Sequence, residues 1–403
     1  MQMIDEIHIQ EMAGPTAWES DVEIVERKGL GHPDTICDLV MDRISQALSG
    51  AYLQHFGRIL HHNCDKGLLV AGQAERHFGG GHIIEPMRLI IGDRATPVKE
   101  FDLPLKAVEA AKSWFRENLP QIDPERHLNY QVELKRGSEE LTHIFSEPEA
   151  ILSANDTSAA VGYAPLTKTE QMVLETERFL NAPKFKSQYP ESGTDIKVMG
   201  VRRGERLNLT VAMPLLDQYV ADEQDYFRRK EEIRSVLVSH LQSCLDPLRD
   251  INVTINALDR RGMGPSGMYL SVLGTSAEDA DSGAVGRGNQ VNGIIALRRP
   301  RGSEAAAGKN PVSHVGKIYS VLTHLLAAEI YKQVLGVREV VVWLCSRIGD
   351  PVDRPQAVSV EVKLKGETKL ARVIDPIGEI LRREISRMPI FCQELAEGKY
   401  PIC

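Results

Sequence analysis

"VERKGLGHPDTICDLVMDRI", residues 25–44, sets a glycine on either side of Leu30 and then runs His32, Pro33 and Asp34 straight into a helical pattern. The apolar positions Ile36, Leu39, Val40, Ile44 and Leu48 recur at i, i+3 and i+4, with Gly50 near the end, so the spacing predicts a helix after Asp34 that closes near Gly50. Pro33 suits a first helical turn, where its missing N–H would have no partner anyway, and Asp34 stands where the helix dipole favours a negative charge. One reading stops there, with a capped helix start and His32 as an incidental polar neighbour. In the other, the glycines admit a ligand's close approach, Asp34 binds a divalent cation and His32 donates a hydrogen bond to a phosphate oxygen. The tripeptide alone leaves both open.

Outward from this stretch the chain alternates helix and strand without a linker or low-complexity run. Helical periodicity returns near Lys168, through Met172, Val173, Thr176, Phe179 and Leu180, and again from Val315 through Ile318, Tyr319, Leu322, Leu325, Leu326 and Ile330. Short β-rich runs lie between, at 67–72, 87–92, 206–215, 251–258, 268–274 and 340–345. The expected architecture is mixed α/β, sheets with helices on one face. No sequence repeat of fixed period is visible, so any internal symmetry is structural.

The 403 residues are 42% hydrophobic, enough to fill a real core, and 26% charged with a net charge of −8, which gives bulk nucleic-acid binding little support. Six scattered cysteines without a Cys-x-x-Cys pair favour reduced thiols over a disulfide framework or a zinc knuckle. Neither an export signal nor an apolar run of the ~18 residues needed to span a bilayer is present, so a cytoplasmic protein with no membrane partner is expected.

Other stretches carry chemistry-bearing residues. "SANDTSAAVGYAPLTKTE", 153–170, holds the lone carboxylate Asp156, which reads as a plain turn or as a buried acceptor for a ribose hydroxyl or amino group. "GTSAEDADSGAVGRGNQVNG", 274–293, and "EAAAGKNPVSHVGKIY", 304–319, set Asp281, Arg287, Lys309, His314 and Lys317 among small residues while matching neither a Rossmann nor a P-loop formula. Lys309, His314 and Lys317 cluster at the positive end of a helix, a conflict that a bound anion such as triphosphate would relieve. "HHNCDKG", 61–67, offers His61, His62 and Asp65 as weak metal ligands, since adjacent histidines on a strand point to opposite faces. In "LKRGSEEL", 134–141, Gly137 and Ser138 form a turn that either touches phosphate or is a surface hairpin.

Taken together and in order, these segments, with "HFGRILHHNCDKGLLVAG", "GDRAT" at 92–96 and "DIKVMGVRRG" at 195–204, resemble the archaeal-type methionine adenosyltransferases, the S-adenosylmethionine synthetases. The resemblance runs from about residue 20 to about residue 320 and is specific as an ordered set. It implies one compact catalytic unit of three similar sheet-plus-helix subdomains around a pseudo-threefold axis, interleaved and spanning approximately 20–130, 150–250 and 251–403. The implied reaction is attack of the methionine sulfur on C5′ of ATP, followed by hydrolysis of the released triphosphate to phosphate and diphosphate. By the same resemblance His32 contacts the leaving oxygen and phosphate chain, Asp34 binds magnesium, and Glu26 and Asp156 handle the methionine and nucleoside parts. Asp281, Arg287, Lys309, His314 and Lys317 fall in the triphosphate and second-metal region, and either Lys186 or Lys197 adds a lysine. Mg²⁺ is the implied cofactor, with K⁺ left open. The implied assembly is a homodimer with shared active sites, 26–34 of one chain meeting 274–317 of the other, with a dimer of dimers left open. "RGSEEL" at 136–141 departs from the family's usual Gly-Ser-Val-Asp-Leu form and weakens any role for Gly137 and Ser138; the segment before Glu304 lacks the usual methionines, while Lys309 and its neighbours are intact. A catalytically silent nucleotide-binding subunit and a triphosphatase or kinase are the rival readings.

Overall fold

The helix announced by Pro33 runs to Phe56 in the computed structural model, which describes residues 7–145 and 151–403. Gly50 does not end it. The chain passes Gly50 with open space where a side chain would be, and stops at Gly57, whose φ of 67° only glycine adopts freely and whose N–H closes on the Leu53 carbonyl at 2.9 Å. Ile36, Val40, Ile44 and Leu48 are wholly buried. At roughly 1.5–3 kcal/mol for each such side chain, burial on the sheet beneath outweighs the modest penalty of an interior glycine.

Three sheets each carry helices over their own apolar core. The first has the strand order Gly283–Ala284, His62–Val70, Met87–Ala95, Leu128–Lys135, under the helices Pro33–Phe56 and Leu103–Asn118. The second runs Asp250–Ile255, Arg206–Ala212, Lys197–Arg203, Val22–Lys28, Ile295–Ala296, under Lys168–Asn181 and Glu223–Ser243. The third runs Ile7–Glu11, Ala357–Leu364, Val337–Cys345, Ala159–Ala164, under Val315–Gln333 and Ile374–Ser386. All six cysteines are free thiols.

The chain crosses between these units where the sequence is richest in glycine. Val22–Lys28 pairs antiparallel with Lys197–Arg203 in the second sheet, and four residues later His32 opens the helix of the first. Residues 274–296 leave the second unit, add Gly283–Ala284 to the first sheet beside Leu68 and Leu69, and return to pair Ile295 with Glu26. His32, Asp281 and Arg287 lie on these crossovers, with Glu26 and Asp34 at their ends.

Of the expected β-runs, 268–274 fails: only Leu270–Ser271 forms a strand. The N–H groups of Val272 and Leu273 go to the buried Glu278 carboxylate at 2.9 and 2.6 Å, and that of Gly274 to Ser271 Oγ at 2.6 Å, so they are lost to a ladder.

Candidate functional site

His32 is the N-cap of the first helix. Its backbone is extended (φ −69°, ψ 135°) and its Nδ1 accepts the Asp34 N–H at 3.2 Å. Burial, partly opposed by Asp34, holds the imidazole down at about 4, so the ring is neutral at physiological pH. With Nδ1 accepting, the ring proton sits on Nε2, leaving one defined donor. Asp34 accepts from Ala284 N at 3.0 Å through Oδ1 and from Lys28 Nζ at 2.9 Å through Oδ2, while Lys28 Nζ also donates to the Arg287 carbonyl at 2.6 Å. Lys197 and Asp281 both act on the charge of His32, Lys197 also pairs with Glu26 at 3.1 Å, and Asp281 and Arg287 are exposed. Glu26, His32, Asp34, Lys197, Asp281 and Arg287 thus form one neighbourhood within a single chain.

The glycines of the opening stretch serve the protein and not a ligand. A Cβ on Gly31 would lie 2.5–2.6 Å from Thr194 and Asp195, and one on Gly29 2.5 Å from the Ile196 carbonyl. Gly29 and Gly31 donate to the Ile196 and Thr194 carbonyls at 2.8 and 3.1 Å, and Thr275 Oγ1 donates to the Gly31 carbonyl at 2.7 Å. The turn is pressed onto the 194–196 backbone, which corrects the expectation of room for close ligand approach.

The second neighbourhood surrounds the helix start at Val315. His314 repeats the cap of His32: its Nδ1 accepts from Gly316 N at 3.2 Å, and burial followed by Lys309 pushes it down to about 3. Lys317, 1% exposed, pairs with Asp42 at 2.5 Å. Lys309 is paired with Glu304 and lies 3.8 Å from Asp65. The three expected cations are therefore one neutral imidazole and two lysines with carboxylate partners, which already relieve the conflict expected to call for an anion. His314 instead lines a cleft of about 480 Å³ with His61, Asp93, Arg94, Gly137, Ser138 and Asn155.

Asp156, expected as a buried acceptor, is exposed, in a turn whose carbonyl takes the Ser346 hydroxyl at 2.8 Å. Lys186 turns its amine onto the carbonyls of Ser192 and Gly193 at 3.1 and 2.6 Å, so Lys197 is the lysine beside His32. Desolvation of that enclosed amine brings Lys186 down to about 7. Ser138 caps the short helix Glu139–His143, and Gly137 lies flat against the His61 ring, where a Cβ would come within 2.5 Å. His62 has Nε2 on Ser45 Oγ at 2.9 Å and Nδ1 between the Leu60 carbonyl at 3.1 Å and Asn310 Nδ2 at 3.2 Å, so both ring nitrogens have partners within the protein and none faces a metal.

The sequence reading missed Asp38 and Asp42. With Asp34 they form an i, i+4, i+8 row of buried carboxylates on one helix face. That spacing inside an apolar helix was the available signal. It also missed Asp195, buried and accepting from both N and Oγ of Ser276 at 2.8 and 2.5 Å, with its carboxyl raised by burial to about 6.

One division of the site is corrected. The 26–34 stretch and the 274–289 stretch already meet within one chain through Asp34 and Ala284, Lys28 and Arg287, and Gly31 and Thr275, so they need no partner to join them. The Lys309 backbone lies further along the first helix, although its amine's partner Glu304 shares a cleft with Asp38, Gly286 and Asn289. The Lys309 carbonyl accepts from Ser45, eleven residues along the helix from Asp34, about 16 Å at 1.5 Å per residue.

Residues 5–399 match the family model described as S-adenosylmethionine synthetase. The chain is 45% identical over 371 residues to the S-adenosylmethionine synthase of Aeropyrum pernix, covering 90% of this chain and 91% of that one. It is 40% identical over 402 residues to a probable S-adenosylmethionine synthase of Aquifex aeolicus, covering 98% and 99%. In fold it is similar to the solved structure of an unusual S-adenosylmethionine synthetase from Campylobacter jejuni, with a TM-score of 0.56 at 16% identity over 93% of this chain and 100% of that one. A match across nearly the whole length, on a chain whose glycine-rich crossovers gather a histidine-capped helix start with carboxylates and lysines, places this protein in the S-adenosylmethionine synthetase family, in its archaeal type.

Proposed function

We propose that the chain joins ATP and L-methionine into S-adenosyl-L-methionine by attack of the thioether sulfur on C5′, releasing triphosphate that water then splits into phosphate and diphosphate. A sulfur lone pair forms the S–C5′ bond as the C5′–O bond breaks, and the electron pair leaves with the triphosphate. The thioether is neutral and has no proton to lose, so this step asks for no general base, only for stabilisation of the departing oxygen. The observation that carries the reading is the capping hydrogen bond of His32, whose Nδ1 accepts the Asp34 N–H at 3.2 Å so that Nε2–H is the free donor. Lys197, which acts on the charge of His32, and Arg287, whose carbonyl holds Lys28, would serve the phosphate chain, and Glu26, paired with Lys197, the methionine amino group.

Asp34 and Asp281 suit magnesium. Both are hard oxygen donors, each Asp34 oxygen keeps a lone pair beyond its hydrogen bond, and no group of three or more potential ligands forms a protein cage among the described residues. This matches a Mg²⁺ carried largely by substrate phosphates and held by one or two carboxylates. When bound it would neutralise charge on the leaving group.

The second neighbourhood completes a site from a second copy: the His32, Asp34 and Arg287 face of one chain meets the Lys309, His314 and cleft face of the other. The ordered motifs, which resemble a family with sites shared between two chains, support this homodimeric arrangement. The test of the activity is a chromatographic assay with ATP, methionine and magnesium. Stoichiometric sulfonium product supports it, phosphate without that product indicates a triphosphatase or kinase, and binding without turnover indicates a silent subunit. For the shared site, inactive His32→Ala chains are mixed with inactive Lys309→Ala chains; random exchange makes about half the dimers mixed, each with one intact site. Exchange proven by mass labelling without recovered activity would overturn the shared site.

A further inference from the structure

We infer that Asp38 is a positioning residue: it clamps the Gly286–Arg287–Gly288 turn from beneath and so fixes where the Arg287 guanidinium stands. This rests on the reading above of Arg287 as a triphosphate contact. Asp38 is 3% exposed, one helical turn below Asp34 on the same face. Its Oδ1 accepts the Gly286 N–H at 2.8 Å, and the Gly288 N–H bears on the same carboxylate. The amides before and after Arg287 are thus both directed at one buried group. Between them the Arg287 carbonyl accepts from Lys28 Nζ at 2.6 Å, while its guanidinium is exposed and has no hydrogen bond or ion pair among the described residues.

The two glycines fit this purpose. Gly286 sits at φ 82°, a region that favours glycine. A Cβ on Gly288 would lie 2.1 Å from Asp38 Oδ2, so any larger residue displaces the carboxylate. A long side chain launched from a loop is held in place only as well as its backbone is, and a misplacement of 1 Å in a polar site costs roughly a hundredfold in rate. Burial raises the Asp38 carboxyl, and the amides of Gly286 and Gly288 pull it back, as expected of a carboxylate kept for these bonds.

The experiment has two arms, on the full-length protein. Asp38→Asn preserves shape but turns one acceptor oxygen into a donor facing an N–H. In the first arm, hydrogen exchange of the 283–289 peptide is measured by mass spectrometry. Faster exchange there, with the 168–181 helix unchanged, is expected; unchanged exchange at 283–289 overturns the clamp. In the second arm, kcat/KM for ATP is measured for Asp38→Asn, Arg287→Ala and the double variant. Asp38→Asn is expected to lower it roughly a hundredfold alone and by less than about twofold in the Arg287→Ala background. Multiplicative losses would mean that Asp38 acts otherwise than through Arg287. Near-normal activity of Arg287→Ala would instead sink the triphosphate reading of Arg287 and the positioning role with it, while the exchange arm would still report on the clamp. If Asp38→Asn does not fold, Gly288→Ala perturbs the same contact from the loop side and is read in the same two arms.

Discussion

The helices beginning at Pro33 and Val315 have the same cap and opposite surroundings. Each starts after a buried histidine whose Nδ1 takes the N–H two residues on at 3.2 Å, and each ring is held neutral by burial. At the first, the next charge is Asp34, which complements the dipole and pairs with Lys28. At the second it is Lys317, which opposes the dipole and is answered by Asp42 from the first helix. One row of aspartates therefore serves both helix ends, Asp34 at its own start and Asp42 at its neighbour's. A histidine cap by itself settles nothing about function. The first entrance opens toward exposed Arg287 and Asp281, whereas at the second Lys317 is sealed and only His314 reaches a cleft.

The largest expected effect tests the sealed side. Lys317→Ala leaves the Asp42 carboxylate buried without its cation and should lower unfolding stability by about 3–5 kcal/mol. Lys317→Met with Asp42→Leu should recover most of it. Denaturant titration showing a loss below about 1 kcal/mol for the single variant, with turnover abolished instead, would return Lys317 to the triphosphate.

The second breaks the open side. His32→Ala should slow S-adenosylmethionine formation by about 10²–10³, the usual cost of removing a donor to a developing oxyanion. Hydrolysis of added triphosphate should fall far less, because only the first step breaks the C5′–O bond. Equal losses in both steps would point to general disruption of the phosphate site and erase the distinction between the two entrances.

Gly31→Ala follows. Its Cβ would press on the Thr194 and Asp195 backbone, and an overpacked contact costs about 1–3 kcal/mol, read as a lower melting temperature. Unchanged melting with a raised KM for ATP would restore the idea that Gly31 makes room for substrate.

The smallest effect is a pH dependence at the second cap. The folded-state value of His314 is depressed from 6.5 to about 3, so its neutral form contributes fully above pH 6.5, and stability is lost as pH falls below that, levelling off near 3. His314→Asn keeps a capping side chain without the titration. Relative to this variant, the wild-type protein should lose about 1.4 kcal/mol by pH 5.5, measured as the difference between two denaturation series. A flat difference would mean that His314 is solvated or charged in the folded state.

What the sequence determined was local. The helix starts near Pro33, Lys168 and Val315 were legible because apolar periodicity repeats within a few turns and, at Pro33, because a proline suits the first turn; the structure adds the caps at His32, Thr167 and His314. Most β-runs were legible because alternating burial acts within one strand. The ordered set of motifs was enough for the family, since each segment keeps its own spacing. Tertiary structure decided what depends on partners far away in the chain. Lys186 and Lys197 look alike in sequence, and only the pairing of Val22–Lys28 with Lys197–Arg203 sets Lys197 beside Glu26 and His32. The glycines at 29 and 31 could have faced a ligand or a backbone, and the 194–196 segment settled it. Lys309 and Lys317 read as free cations until Glu304, Asp65 and Asp42 were placed against them. A charge is visible in one residue, but its compensation is a pair property. In this fold the partner of Lys317 lies 275 residues away, beyond the reach of any local pattern.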